Sequence, residues 1–135
     1  MLAAATVWVA SCATSEVHAY KMYGGPPRPD ADVSVVEIGD AQGVMIGTRK
    51  VARHDYSKIQ LLPGTYPLYW ECEYGVSVMI EPTGFATGSV SADVALQAGH
   101  VYSLHCDRTT GYGYRTYQWI RDDTEGRIVA GRQKP

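Results

Sequence analysis

From Asp32 onward, short apolar runs alternate with turn residues at roughly even spacing, and no window carries a sustained helical period with caps. Val33-Ser34-Val35-Val36-Glu37-Ile38 opens the series, and Gly39-Asp40 ends its first strand. Val44-Met45-Ile46-Gly47 and the polar stretch through Arg53 read as a strand pair. Ser57–Leu62 alternates, and Pro63-Gly64 then forces a turn into a strand over Tyr66–Tyr74. Val76–Ile80 and Ser89–Leu96 follow as two strands with Pro82-Thr83-Gly84 between them. Ala98-Gly99 leads into Val101–Cys106, and Tyr117–Asp122 and Ile128–Ala130 make a last hairpin through Asp123-Thr124-Glu125-Gly126.

This pattern predicts an all-β fold over residues 33–135. We expect a small antiparallel β-sandwich, immunoglobulin- or transthyretin-like, of roughly seven to nine strands. Two cysteines fall in phase with it. Along Tyr66–Tyr74 one face reads Tyr66, Leu68, Trp70, Cys72 and Tyr74, while Glu71 and Glu73 lie on the other. Tyr102, Leu104 and Cys106 likewise share a face. Both thiols therefore sit on the apolar side of a strand, which suits a disulfide between Cys72 and Cys106 across the core, the alternative being two buried free thiols. Such a bridge would stabilise the fold by roughly 3–4 kcal/mol.

Upstream of the strands the pattern changes. Residues 12–32 read as a tether, because Gly24-Gly25-Pro26-Pro27-Arg28-Pro29 cannot continue a helix or a central strand and favours extended geometry. The apolar Tyr20, Met22 and Tyr23 would instead allow part of it to pack along the domain as an ordered arm. Before it, Leu2–Ala10 is an apolar run of the length of a signal-peptide core and well short of the about 20 residues a spanning helix needs. Met1 leads straight into Leu2, so the basic opening of a signal peptide is missing; a buried amino-terminal strand or helix is the plainer alternative.

Val9-Ala10-Ser11-Cys12 closes that run and resembles the bacterial lipobox, in which small residues precede a cysteine that is lipidated and becomes the first residue. The resemblance implies a signal peptide at 1–11, acylation of Cys12 and a membrane tether. Ala13 after the cysteine is compatible with sorting to the outer membrane, facing the periplasm. With Cys12 taken by lipid, Cys72 and Cys106 remain as an even pair in an oxidising compartment. Leu62-Pro63-Gly64-Thr65-Tyr66 is similar to a turn common in small envelope-associated and carbohydrate-associated β-sandwich modules. Together with the Tyr23–Pro29 spacer and the Val33/Val35 strand opening, it resembles short proteobacterial envelope lipoproteins. That likeness implies a fold and an address, not a reaction.

Charge narrows the partners. A net charge of −2, with no basic cluster, argues against nucleic acid and against a polybasic lipid patch. Ten tyrosines against one phenylalanine favour pleated, half-wet surfaces. Few residues suggest catalytic or metal chemistry. His18, His54, His100 and His105 show no metal-ligand spacing, and no Cys-x-x-Cys is present, so no metal or cofactor is expected. His54-Asp55 is half of a triad without a nucleophile elbow. Glu71 and Glu73 lie about 7 Å apart on an outward face, a separation glycosidases use, but they read first as solubilising charges. Asp122, Asp123 and Glu125 read as an acidic hairpin tip rather than a calcium site.

The candidate binding patch is the glycine-loosened run Thr109–Trp119, in which Tyr112, Tyr114 and Arg115 could stack on sugar rings or anchor a protein interface. Its plainer reading is a turn flanked by core Tyr117 and Trp119. The expected function is non-catalytic: an envelope lipoprotein with a binding or scaffolding role and an envelope protein or peptidoglycan as partner. A subunit of a secretion or assembly complex, an inhibitor of a cell-wall hydrolase and an enzyme acting through Glu71 or Glu73 are the rivals.

Overall fold

The computed structural model describes residues 19–78, 81–109 and 115–135. The strands are β1 (Ala19–Lys21), β2 (Ser34–Glu37), β3 (Gly43–Ile46), β4 (Arg49–Ala52), β5 (Lys58–Leu61), β6 (Gly64–Val78), β7 (Glu81–Leu96), β8 (Val101–Arg108), β9 (Thr116–Asp122) and β10 (Arg127–Gly131). One 3-10 turn covers Asp30–Asp32. No helix among the described residues is long and apolar enough to cross a membrane. The strands form a six-stranded sheet ordered β1-β5-β2-β8-β9-β10 and a four-stranded sheet ordered β4-β3-β6-β7, packed as a β-sandwich.

Alternation builds the core. Leu68, Trp70 and Cys72 of β6 point inward with Val44 and Ile46 of β3, and meet Ile59, Leu61, Tyr102, Leu104 and Ile120 from the other sheet. Cys72 is fully buried and bonded to Cys106, with 5.9 Å between their α-carbons, so the disulfide ties β6 of one sheet to β8 of the other. Beside it, Gln118 Nε2 donates to the Tyr74 hydroxyl at 2.8 Å, and that hydroxyl donates to the Tyr117 carbonyl at 2.9 Å. A polar pair between two sheets is tolerable only when bonded in this way. Gly88, opposite Cys72, leaves room for it; a Cβ there would run into the Gln118 amide.

The Pro63-Gly64 turn is locked by its tyrosine. Tyr66 returns its hydroxyl to the Leu62 carbonyl at 2.6 Å, an arrangement like the tyrosine corner of β-sandwiches.

Two features differ from the expectation, and at the amino terminus the ordered arm is the alternative observed. The stretch from residue 19 is not a free tether. Tyr20 and Met22 pack against the core, β1 pairs in parallel with β5, and the buried Tyr23 joins Val33 and Val35 in a second apolar cluster. Lys21 and Arg28 lie over the Tyr23 ring, whose hydroxyl accepts the Arg28 N–H at 3.0 Å. Apolar burial thus holds the arm where proline only keeps it extended.

Val76–Ile80 and Ser89–Leu96 do not form separate strands about a Pro-Gly turn. β6 and β7 make one long hairpin, and Pro82 sits on an edge strand beside a register shift, a position where proline is tolerated. Finally, the sandwich is not wholly antiparallel, because β1–β5 and β2–β8 pair in parallel.

The registers define two ends. One gathers the start of β1, the 38–42 and 53–57 loops, the end of β8 and the start of β9. The other gathers the turns at 47–48, 62–63, 97–100 and 123–126.

Replacing Cys72 and Cys106 together by alanine should cost roughly 3–4 kcal/mol in urea unfolding. A midpoint unchanged from wild type would refute the structural role of the bridge. Gly88→Ala should cost about 1–3 kcal/mol in the same assay, by overpacking against Gln118.

Candidate functional site

The outward face of the four-stranded sheet carries a trough of about 450 Å3. Alternation builds it as it builds the core: Val44, Val51 and Trp70 point inward, so Met45, Lys50, Ala52, Tyr69 and Glu71 point out. Met45 is opposite both Lys50 and Tyr69, and Gly43 is opposite both Ala52 and Glu71. Gly43 lies on the middle strand, and a Cβ there would come within 2.8 Å of the Val51 carbonyl oxygen. The absent side chain lowers the floor between two walls. Lys50, Ala52 and His54 line one; Tyr69, Glu71 and Glu73 line the other.

Met45 is the one large hydrophobic residue exposed among the described residues, at 38 %. Tyr69 donates its hydroxyl to Glu71 Oε1, and the accepting carboxylate holds the phenol above its ordinary pKa. The trough therefore combines an aromatic ring, a thioether, two carboxylates and a cation on an open, shallow surface. Such a set suits reversible contact with a mixed-polarity surface.

Of the predicted binding patch, Tyr112 and Tyr114 lie outside the described residues, as does Cys12. Arg115 is exposed. Its backbone N–H donates to Thr109 Oγ1 at 2.8 Å, and its carbonyl accepts the Thr109 N–H at 2.9 Å, which pinches the base of the loop. Arg115 is not part of the trough. Tyr117 and Trp119 are buried, yet they belong to the outward phase of β9: Ile120 and Asp122 alternate with Trp119 and Arg121. Arg132 covers the Tyr117 ring, and the His105 ring stacks on Trp119 with centroids 5.1 Å apart.

The histidines serve different ends. His54 and Asp55 lie 3.4 Å apart but are both open to solvent. His105 Nε2 lies 2.8 Å from Ser103 Oγ, and that hydroxyl donates to Asp123 Oδ1 at 3.0 Å. The order carboxylate–hydroxyl–imidazole places the carboxylate on the serine, whereas a nucleophilic triad needs it behind the imidazole. Arg121 also binds Asp123, at 3.0 Å, so this chain fastens β8 to the last hairpin.

His100, Asp122 and Glu125 offer ligand atoms within 4.8 Å of one another, and each is engaged in a hydrogen bond or ion pair within the protein. His100 Nδ1 lies 2.7 Å from Asp122 Oδ2, and Oδ1 accepts the N–H groups of Thr124 and Glu125 at 3.0 and 3.1 Å. Glu125 pairs with Arg127 at 2.6 Å. Burial alone would raise the Asp122 carboxyl. The bonds from His100, Glu125 and Thr124 outweigh it and hold the group below the ordinary value. Asp122 thus locks the β9–β10 hairpin.

No protein-family model, curated protein or solved structure matches this chain.

Because the folded pKa of Asp122 lies below its unfolded value near ~3.9, its stabilising effect is complete above that value. It is lost as pH falls through the folded value. Asp122→Asn should therefore cost about 1.5–3 kcal/mol at neutral pH, and the gap to wild type should narrow progressively as pH falls below the unfolded value. Urea titrations at several pH values check this; a gap independent of pH would refute it.

Proposed function

We propose that this chain is a lipid-anchored, non-catalytic binding module of the bacterial cell envelope, acylated at Cys12 and presenting the outward face of its four-stranded sheet to an envelope partner. The trough floored by Gly43 and Met45 carries this reading. Its donors and acceptors lie in an open groove, where they can meet a partner's surface but cannot exclude water from a reacting bond. The inter-sheet disulfide supports an oxidising compartment, in keeping with export. The lipobox resemblance supplies the anchor. Glu71 supports binding rather than glycoside cleavage, since it accepts a hydrogen bond from Tyr69 and lies exposed.

A photo-crosslinking amino acid at position 45, expressed in native envelopes, tests the surface. A single stoichiometric protein adduct indicates a scaffolding role, and retention on peptidoglycan indicates glycan binding. Reversing both charges, Glu71→Lys with Glu73→Lys, should cut either yield by about tenfold, equal to ~1.4 kcal/mol. Labelling at position 45 no stronger than at Thr124, in the β9–β10 turn of the other sheet, would overturn the trough as the binding surface. The intact mass of the membrane-isolated protein tests the anchor: it should equal residues 12–135 plus acyl groups. An unacylated full-length mass would overturn the address.

A further inference from the structure

A second recess, of about 400 Å3, lies at the end of the sandwich where β1 begins, lined by Glu37, Ile38, Gly39, Arg53, Ser57 and Lys58. Its volume falls within the roughly 300–1,000 Å3 of small-ligand sites. Glu37 and Lys58 are directly opposite on β2 and β5, which places a carboxylate and an ammonium on the same outward face. Arg53 and Ser57 approach from the loop between β4 and β5. At the edge, Gly39 takes φ 56°, and a Cβ there would meet the Leu104 carbonyl oxygen at 2.5 Å, so the turn out of β2 is held against β8. Among the described residues, none of Glu37, Arg53 and Lys58 is held in an ion pair.

The direction of β1 gives this recess its meaning. β1 runs parallel to β5 with Ala19 opposite Lys58, so the chain enters the sheet beside the recess. On the anchor reading, on which this inference rests, only residues 13–18 separate acylated Cys12 from Ala19. Fully extended, that stretch spans at most roughly 25 Å. The ordered arm thus shortens the tether and keeps this end of the sandwich near the headgroup layer. An antiparallel β1 would have brought the chain in at the opposite end.

We propose that the recess binds the headgroup of a zwitterionic phospholipid carrying a phosphate and a primary ammonium. Arg53, Lys58 and the Ser57 hydroxyl receive the phosphate, and Glu37 accepts from the ammonium. The set carries two cations and one anion, matching a phosphate diester joined to an amine better than a purely anionic headgroup. A choline headgroup has no N–H to offer Glu37.

The test uses the isotope-labelled, membrane-isolated protein in nanodiscs of phosphatidylcholine alone, or with phosphatidylethanolamine replacing part of it. Ethanolamine lipid should shift the amide resonances of Glu37, Gly39, Ser57 and Lys58 and leave Thr48, Gly99 and Thr124 in place. Arg53→Ala with Lys58→Ala should abolish the shifts, and Glu37→Gln should remove the preference for ethanolamine over choline. Unchanged spectra from a preparation whose intact mass confirms acylation would overturn the recess and leave the anchor standing. Shifts at the opposite end would do the same. An unacylated chain that stays out of the nanodiscs would overturn both.

Discussion

Among the described residues the two sheets share no hydrogen-bonded strand, so what holds their inner faces together is chiefly side-chain packing around Trp70 and the Cys72–Cys106 bridge. Trp70 is fully buried, and its indole N–H finds no acceptor among the described residues. An unpaired N–H costs about 1–3 kcal/mol, whereas burying an indole of about 200 Å2 contributes roughly 5 kcal/mol, so packing wins. The disulfide acts on the same interface by restricting the unfolded chain. Everything displayed outward is a by-product of this inward order: once Trp70 and Cys72 are fixed toward the core, Tyr69, Glu71 and Glu73 must face solvent.

Period-two alternation explains why the sandwich and the bridge were legible. Val33–Ile38, Tyr66–Tyr74 and Val101–Cys106 each place an apolar face where the structure has its core, and the two thiols lie on those faces. The arm was less legible. Gly24–Pro29 argues for an extended chain, but only the distant partners Gln60 and Val33 decide whether an extended chain is docked or free. The long hairpin escaped for a similar reason. Pro82-Thr83-Gly84 is good turn chemistry, yet an edge strand tolerates it and pairing with β6 continues.

The trough was half legible. That Glu71 faces outward follows from its neighbours in sequence. That it faces Gly43 and Ala52 depends on the order β4-β3-β6, which joins segments far apart in the chain. A glycine inside a strand was the available signal, since such a position marks a lowered or closely approached backbone. The recess at the β1 end was not legible, because it needs the direction of β1 and the meeting of the 38–42 and 53–57 loops. On our reading the chain's polarity is simple: one end of the sandwich turns to the bilayer, and the open face of the four-stranded sheet turns to a partner.

A cystine-linked sandwich in an oxidising envelope is the condition for the proposed role. The most direct measurement is differential thiol trapping from native cells: acid quenching, alkylation in denaturant, reduction, a second alkylation with a distinguishable reagent, and peptide mass spectrometry. Cys72 and Cys106 should carry only the second label. The first label on both cysteines would mean that the bridge does not form in the cell, and the assigned compartment would fall with it.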